Sequence, residues 1–363
     1  MKGFPTKINQ IEERIRGIQP AAYSASRNYK AGAVTYLSPY ISRGVISTRQ
    51  VLLHIYSLNL PPSHTEKLIQ ELAWRDYWQQ VWLHKKDEIF QDLKSSQSPV
   101  ANLSIPKAVI EAKTGIEAVD QAIKELYETG YMHNHMRMYV AAICCNIAQS
   151  HWLQPARWMY SLLLDGDLGS NHLSWQWVAG TNSSKKYVAN QDNINKYFSS
   201  DQKGTFLDVP YADFERMEVP DILKEVKPLE ARMSLPYAST NTLKDAPTLI
   251  YNYYNLDPYW HGGEEFQRVL LLEPSFFEKF PVSQKCLDFF LDLSSNIADI
   301  QVFVGEFDEL NSIVSSEHLI YKEHPTNSLY KGKEEPREWM SSVQGDYPSF
   351  FAFWKKSKKE LLQ

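Results

Sequence analysis

Cysteine is scarce in this sequence, long apolar runs are missing, and so are the familiar glycine-rich phosphate loops. Cys144, Cys145 and Cys286 are the only cysteines among 363 residues. Three thiols build no disulfide framework and fall short of a four-thiolate iron–sulfur site. No apolar stretch approaches the roughly 20 residues that span a bilayer. The opening Met1-Lys2-Gly3-Phe4-Pro5 lacks the apolar core of a secretion signal. A soluble protein in a reducing, cytoplasmic setting, with no membrane partner, is therefore expected. Neither GxGxxG nor GxxxxGK[ST] occurs, so phosphate sites of those two kinds are excluded. No internal repeat or low-complexity tract is present.

Tryptophan, by contrast, is plentiful and clustered. Of ten Trp residues, two fall in Glu71-Leu72-Ala73-Trp74-Arg75-Asp76-Tyr77-Trp78. Two more close the stretch that runs from Asp165-Gly166-Asp167 through Asn171 to Trp175-Gln176-Trp177. A third stretch between them, Tyr131 to Met138, has the same mixture of aromatic, apolar and polar residues. Such polar groups are costly to bury. Large aromatic faces beside a few fixed polar groups suit a flat redox-active ring or a base taken out of a nucleic acid.

The net charge of −5 hides an asymmetry. Residues 1–200 carry 21 basic and 16 acidic side chains, whereas residues 201–363 carry 17 and 27. The first part has an excess of about +5 that permits an anionic partner such as DNA; two differently solvated surfaces explain the charges equally well.

The length suits two domains. Helical spacing of apolar residues recurs in 50–58, 65–84, 107–129, 132–150 and 154–164, so residues 1–205 read as a mostly helical domain. Residues 206–245, with Pro210, Pro220, Pro228 and Pro236 among charges, read as a linker with short helices. Residues 246–363 change texture. The short apolar runs at 248–252, 268–273, 300–304 and 318–322 look like buried strands. A helix capped by Ser283 stands between the second and third. The fold expected is a multidomain chain, a mostly α-helical domain followed by a small parallel α/β domain.

On a helix, Trp74, Arg75 and Trp78 share one face with Glu71, at i+3, i+4 and i+7. A plain packed helix would carry Leu or Ile there, although Glu71 and Arg75 also fit a surface i,i+4 bridge. Asn134, Arg137 and Met138 likewise share a face. An Asn amide both donates and accepts, as the edge of a base or flavin requires. His133 and His135 point to opposite sides and make poor joint metal ligands, so no metal is expected. Asp165 and Asp167 flank a Gly able to approach a ligand closely, and Arg137 is the natural partner of Asp165. Alone, such a DGD turn also fits a metal site or a simple turn.

Taken together, Glu71–Arg75, Gly130–Met138 and Asp165–Trp177 resemble the flavin domain of the DNA photolyase/cryptochrome family, in its order and spacing. Tyr23 and Thr35-Tyr36-Leu37-Ser38 are similar to its phosphate-binding segment. The resemblance covers roughly residues 10–200 and implies FAD as cofactor. It places Tyr23, Thr35 and Ser38 at the phosphates, with Arg75, Asp165 and Asp167 lining the cofactor. Arg137 would pair with Asp165 beside the ring, and Asn171 would face its N5 nitrogen. Glu71, Trp74, Asn134, Met138 and Trp177 match the positions that contact a flipped-out cyclobutane pyrimidine dimer. Trp175 and Trp152 match the first two members of an electron-transfer chain. The third, expected near Val100, is not a Trp, and Trp158 is the candidate substitute. Trp78 is expected to be core.

The resemblance implies light-driven repair of single- or double-stranded damaged DNA by a monomer. The alternative is a blue-light sensor that binds FAD without repair. A flavin-free helical interaction protein would require every mixed aromatic–polar face to be coincidence. A DNA-contacting Arg expected after Trp177 is missing, and Lys185 and Lys186 stand near its place. The family usually opens with an α/β antenna domain. Here its pieces resemble 268–274, 280–291, 301–307 and 347–355, which implies a domain-order swap or circular permutation. The usual Arg-rich first strand reads Tyr251-Asn252-Tyr253-Tyr254, leaving an antenna chromophore open.

Overall fold

The computed structural model describes residues 3–230, 233–236 and 243–362. Two compact units interleave along the chain. One comprises Gln19–Val34 and Lys85–Ala231; the other comprises Met1–Ile18, Thr35–His84 and Arg232–Gln363. The helical part and the α/β part follow each other in the expected order, but helical segments near the N-terminus are compact with the α/β part.

In the first unit, helices Glu117–Thr129, Asn134–Ala142, Leu153–Leu162, Leu168–Ala179 and Gln191–Phe198 surround an apolar core. Trp152, Trp158 and Trp175 lie in that core with Met136, Val140 and Ile143. The helix expected over 107–129 is broken into Lys107–Ile110 and Glu117–Thr129. The Asp120 carboxylate accepts from the Thr114 and Gly115 backbone N–H groups, giving the turn an alternative to helical bonding. Asn134–Ala142 continues into a wider π-type turn, Ile143–Ile147. Glu117–Thr129 ends on Gly130 at φ +71°, where a Cβ would lie 2.7 Å from the Leu164 side chain.

The stretch expected as a linker contributes structure to this unit. Strand β1 (Ile105–Pro106) pairs antiparallel with β2 (Val226–Lys227). Leu207 and Leu223 are buried in the helical core. Residues 231–232 and 237–242 of that stretch lie outside the described residues.

The second unit is built on a five-stranded parallel sheet. Its strands are β3 (Thr248–Tyr251), β4 (Gln267–Leu272), β5 (Ile300–Val304), β6 (Leu319–Lys322) and β7 (Lys333–Glu335), in the order β5-β4-β3-β6-β7. Thr248 registers with Gln267 on one side and Leu319 on the other. Parallel strands need crossovers, supplied by Pro274–Lys279 and Gln284–Ser294 between β4 and β5, and by Phe307–Ile313 before β6. Ser283 caps Gln284–Ser294 by accepting from the Cys286 N–H. Central β3 is buried along its length, which is why it reads as unbroken apolar sequence.

The long helix Pro62–Lys85 of this unit is continuous over 24 residues. It buries Leu68, Ile69, Leu72, Ala73, Tyr77 and Trp78. Trp78 is therefore core, as expected. The helix Phe350–Leu361 packs along it: Phe353 lies 5.8 Å from Tyr77, and the Tyr77 hydroxyl donates to the Tyr347 carbonyl.

Candidate functional site

In the helical unit, the expected ion pair is present. Arg137 Nη2 lies 3.0 Å from each oxygen of Asp165, and Arg137 Nε donates to the Met132 carbonyl at 2.8 Å. The Asp165 side chain is almost wholly buried, with 5% exposure against 19% for Arg137. Asp167 caps Leu168–Ala179, accepting from the Ser170 N–H at 2.6 Å. Gly166 between them approaches the chain's own backbone, because a Cβ there would lie 2.7 Å from the Tyr160 carbonyl oxygen. One turn later, Asn171 Nδ2 donates to the Ala156 carbonyl at 2.9 Å. Donation through nitrogen orients its Oδ1 as the acceptor.

The indoles of this unit sit in different surroundings. Trp152 is wholly buried; its Nε1 donates to Asp92 at 2.7 Å and its backbone N–H to Gln97 Oε1 at 2.9 Å. Trp175 is buried, while Trp177 is 36% exposed beside Tyr187. Trp158 is buried and donates to the Tyr127 hydroxyl at 3.1 Å, whereas Val100 lies at the surface. Asn134 is exposed at the start of its helix, and Met138 is half-buried on the same element. His133 accepts from the His135 N–H, and burial lowers its pKa to about 4. Burial likewise lowers His135, whose Nδ1 pairs with the Asn28 carbonyl. Among the described residues no group of His, Cys, Asp and Glu could hold a metal ion. Lys186 Nζ donates to the Ser98 carbonyl, and Lys185 is exposed. Tyr23 is half-buried in the helix Pro20–Ser26.

In the α/β-containing unit, Glu71, Trp74 and Arg75 share the expected helix. Glu71 meets Lys67 at 2.9 Å, and Arg75 Nη2 donates to Ser42 Oγ at 2.6 Å. Thr35 is half-buried, and Ser38 opens the short helix Ser38–Ser42. Trp74 has an unexpected neighbour. The Phe350 ring stacks on it at 3.7 Å and 11°, and Phe351 meets it edge-on at 6.4 Å. One face of Trp74 is thus covered by the chain itself.

Residues 68–237 match the family model of the FAD binding domain of DNA photolyase. Over those residues the chain is of the DNA photolyase/cryptochrome type. It is 29% identical over 198 residues to a deoxyribodipyrimidine photo-lyase of Alkalihalophilus pseudofirmus, covering 52% of this chain and 40% of that relative. A Vibrio cholerae photo-lyase is 29% identical over 230 residues, with 61% and 47% covered. A Danio rerio cryptochrome DASH is 30% identical over 210 residues, with 56% and 39% covered. In each case the chain spans less than half of the relative's length. A solved Synechocystis cryptochrome has TM-score 0.48 and 24% identity, covering 53% of this chain and 44% of that one.

The cofactor of this photolyase-type domain is FAD. The residues present suit such a group. Ser170 Oγ, within the Asp165–Asn171 segment, and Arg157 Nε, on the helix Leu153–Leu162, are buried polar atoms without a hydrogen-bond partner. Buried atoms of this kind are normally satisfied, so a polar ligand would suit them. Neither was singled out in the sequence: Ser170 is one of many serines, and Arg157 sits among apolar residues of a helix. Asp92 and Gln97, which hold Trp152, were equally silent because they lie in a loop without periodicity.

Proposed function

We propose that this protein is a light-driven lyase that splits cyclobutane pyrimidine dimers in DNA. The observation that carries the reading is the joint presence of Glu71, Trp74, Asn134, Met138 and Trp177, which a light sensor has no need to keep. Bound FAD would supply the one-electron photochemistry. The protein residues bind, orient and insulate. Arg137 holds Asp165 in place, and Arg75, Asp165 and Asp167 are assigned to line the cofactor, with Tyr23, Thr35 and Ser38 at its phosphates. Asn171, fixed through Nδ2 on Ala156, presents an acceptor oxygen to the ring.

Trp177 and Trp74 are assigned to offer apolar faces to the lesion. Glu71 and Asn134 offer hydrogen bonds to its base edges, and Met138 a polarisable contact. A damaged, poorly stacked pair costs less to flip out than a normal one. Glu71 is placed to stabilise charge that develops at a dimer carbonyl. Trp175, Trp152 and Trp158, all buried, are assigned to electron transfer, with Tyr127 beside the last.

The test is a blue-light assay with purified protein carrying reduced FAD, on dimer-containing single- and double-stranded DNA. Restored thymines are the expected result; none at all removes the lyase reading and leaves the sensor. Glu71→Ala should lose repair yield while the flavin spectrum stays unchanged.

A further inference from the structure

The acidic part of the chain has one local reversal of charge. Residues 201–363 carry 17 basic and 27 acidic side chains, yet Lys355, Lys356, Lys358 and Lys359 fall within five positions. All four are exposed on the helix Phe350–Leu361. The helix is amphipathic in the ordinary sense: Phe350, Phe353, Trp354, Ser357 and Leu361 form its buried face. Phe351 breaks that pattern. It stands at the edge of the buried face, 68% exposed, with its ring 5.5 Å from Phe350 and 6.4 Å from Trp74. On a helix Lys355 and Lys358 follow Phe351 at i+4 and i+7, and Lys359 at i+8. They lie about 6, 10 and 12 Å up the axis at 1.5 Å per residue.

We propose that this helix face is a binding track for single-stranded DNA beside the lesion site. Phe351 stacks on an unpaired base next to Trp74, and Lys355 and Lys359 follow the phosphates. Alternation of an exposed ring with cations on one face is what a sequence-tolerant single-strand site needs, since every base has a π-face and every link a charge. The negative charge of the rest of this part of the chain argues against a generally basic surface and confines the attraction to this helix. Lys358 pairs with Glu66, and Lys356 sits 5.0 Å from the Tyr347 ring. The inference rests on the assignment of Trp74 to the lesion.

The experiment uses the FAD-loaded full chain and a labelled, undamaged oligothymidylate, followed by fluorescence anisotropy over a series of KCl concentrations. Phe351→Ala removes only an exposed ring and should weaken binding at least about fivefold without changing the salt slope, from about 1 kcal/mol or more per stacked base. Lys355→Gln with Lys359→Gln should reduce the slope of log K against log salt by about 1.4, at roughly 0.7 per phosphate released. Flavin absorbance reports that the fold is intact. Affinities and slopes within error of the wild type overturn the proposal. So does binding to anionic phospholipid vesicles in place of the oligonucleotide, lost in Phe351→Ala, which would make the helix a membrane-surface element. Variant losses in a protein that repairs nothing sink the lyase reading and leave the track standing. Intact repair with unaltered variants does the reverse.

Discussion

Arg137→Ala isolates the ion pair on which the proposed flavin site depends. Asp165 is nearly sealed from water, and a single Arg137 nitrogen lies 3.0 Å from both of its oxygens. Removing the guanidinium leaves a buried carboxylate without that cation, a change that costs about 3–5 kcal/mol in comparable buried pairs. The Nε bond to Met132 is lost as well, adding about 1 kcal/mol. Against a typical total of about 5–15 kcal/mol, this is a large fraction. The paired variant Arg137→Ala/Asp165→Ala removes both charges and should cost clearly less than the sum of the single changes, with a coupling of at least about 1 kcal/mol. Arg137→Lys keeps the charge but not the planar donor geometry, and should fall between. Urea unfolding, at one fixed excess of FAD so that ligand linkage is constant, measures the wild type, both single alanine variants, the double variant and Arg137→Lys. A loss below about 1 kcal/mol for Arg137→Ala, or strict additivity in the double variant, would refute the reasoning.

Four further outcomes are expected. Asp76 is buried and accepts from Thr48 Oγ1 and the Met340 N–H, and burial pushes its carboxyl up from 3.8 to about 6. The folded chain then binds this proton more tightly than the unfolded chain. Its contribution is full below about pH 4 and lost as pH rises through about 6, by roughly 3 kcal/mol. The stability difference between wild type and Asp76→Asn, from urea midpoints, should change over that window, and a constant difference would count against a buried titrating Asp76. Gly166→Ala forces the turn off the Tyr160 carbonyl, costing about 1–3 kcal/mol and lowering the flavin-to-protein absorbance ratio; full FAD occupancy would contradict it. Phe350→Ala removes a ring 2% exposed and the stack on Trp74, so a loss of about 3–5 kcal/mol in thermal or urea unfolding is expected, and an unchanged midpoint would deny the stack its role. Trp152→Phe should slow photoreduction of bound FAD severalfold while retaining the cofactor, and an unchanged rate would take Trp152 off the electron path.

Much of the fold was legible because it is written in local periodicity. The 65–84 pattern became the helix Pro62–Lys85, and four apolar runs became β3 to β6. Strand β7, Lys333–Glu335, was missed because a short charged edge strand has no apolar signal. The 107–129 helix was read through its break because apolar spacing persists on both sides of a turn held by Asp120. The segment read as a linker was misjudged in part because its prolines hide β2, which finds its partner far along the chain at β1.

Local patterns along the chain suffice for the helix faces that carry Glu71, Trp74 and Arg75, the pairing of Arg137 with Asp165, and the order of a helical part before a parallel sheet. These follow from 3.6-residue and two-residue periods and from charge complementarity, which act over short reach or through rare residue types. Long-range packing was needed to show that Asn171 donates to Ala156, that Gly166 spares the Tyr160 carbonyl, and that Phe350 covers one face of Trp74 while Phe351 is mostly exposed. Each of those joins atoms on different elements. No helical or strand period encodes such a meeting; the packing of the completed core brings the rings and carbonyls into contact.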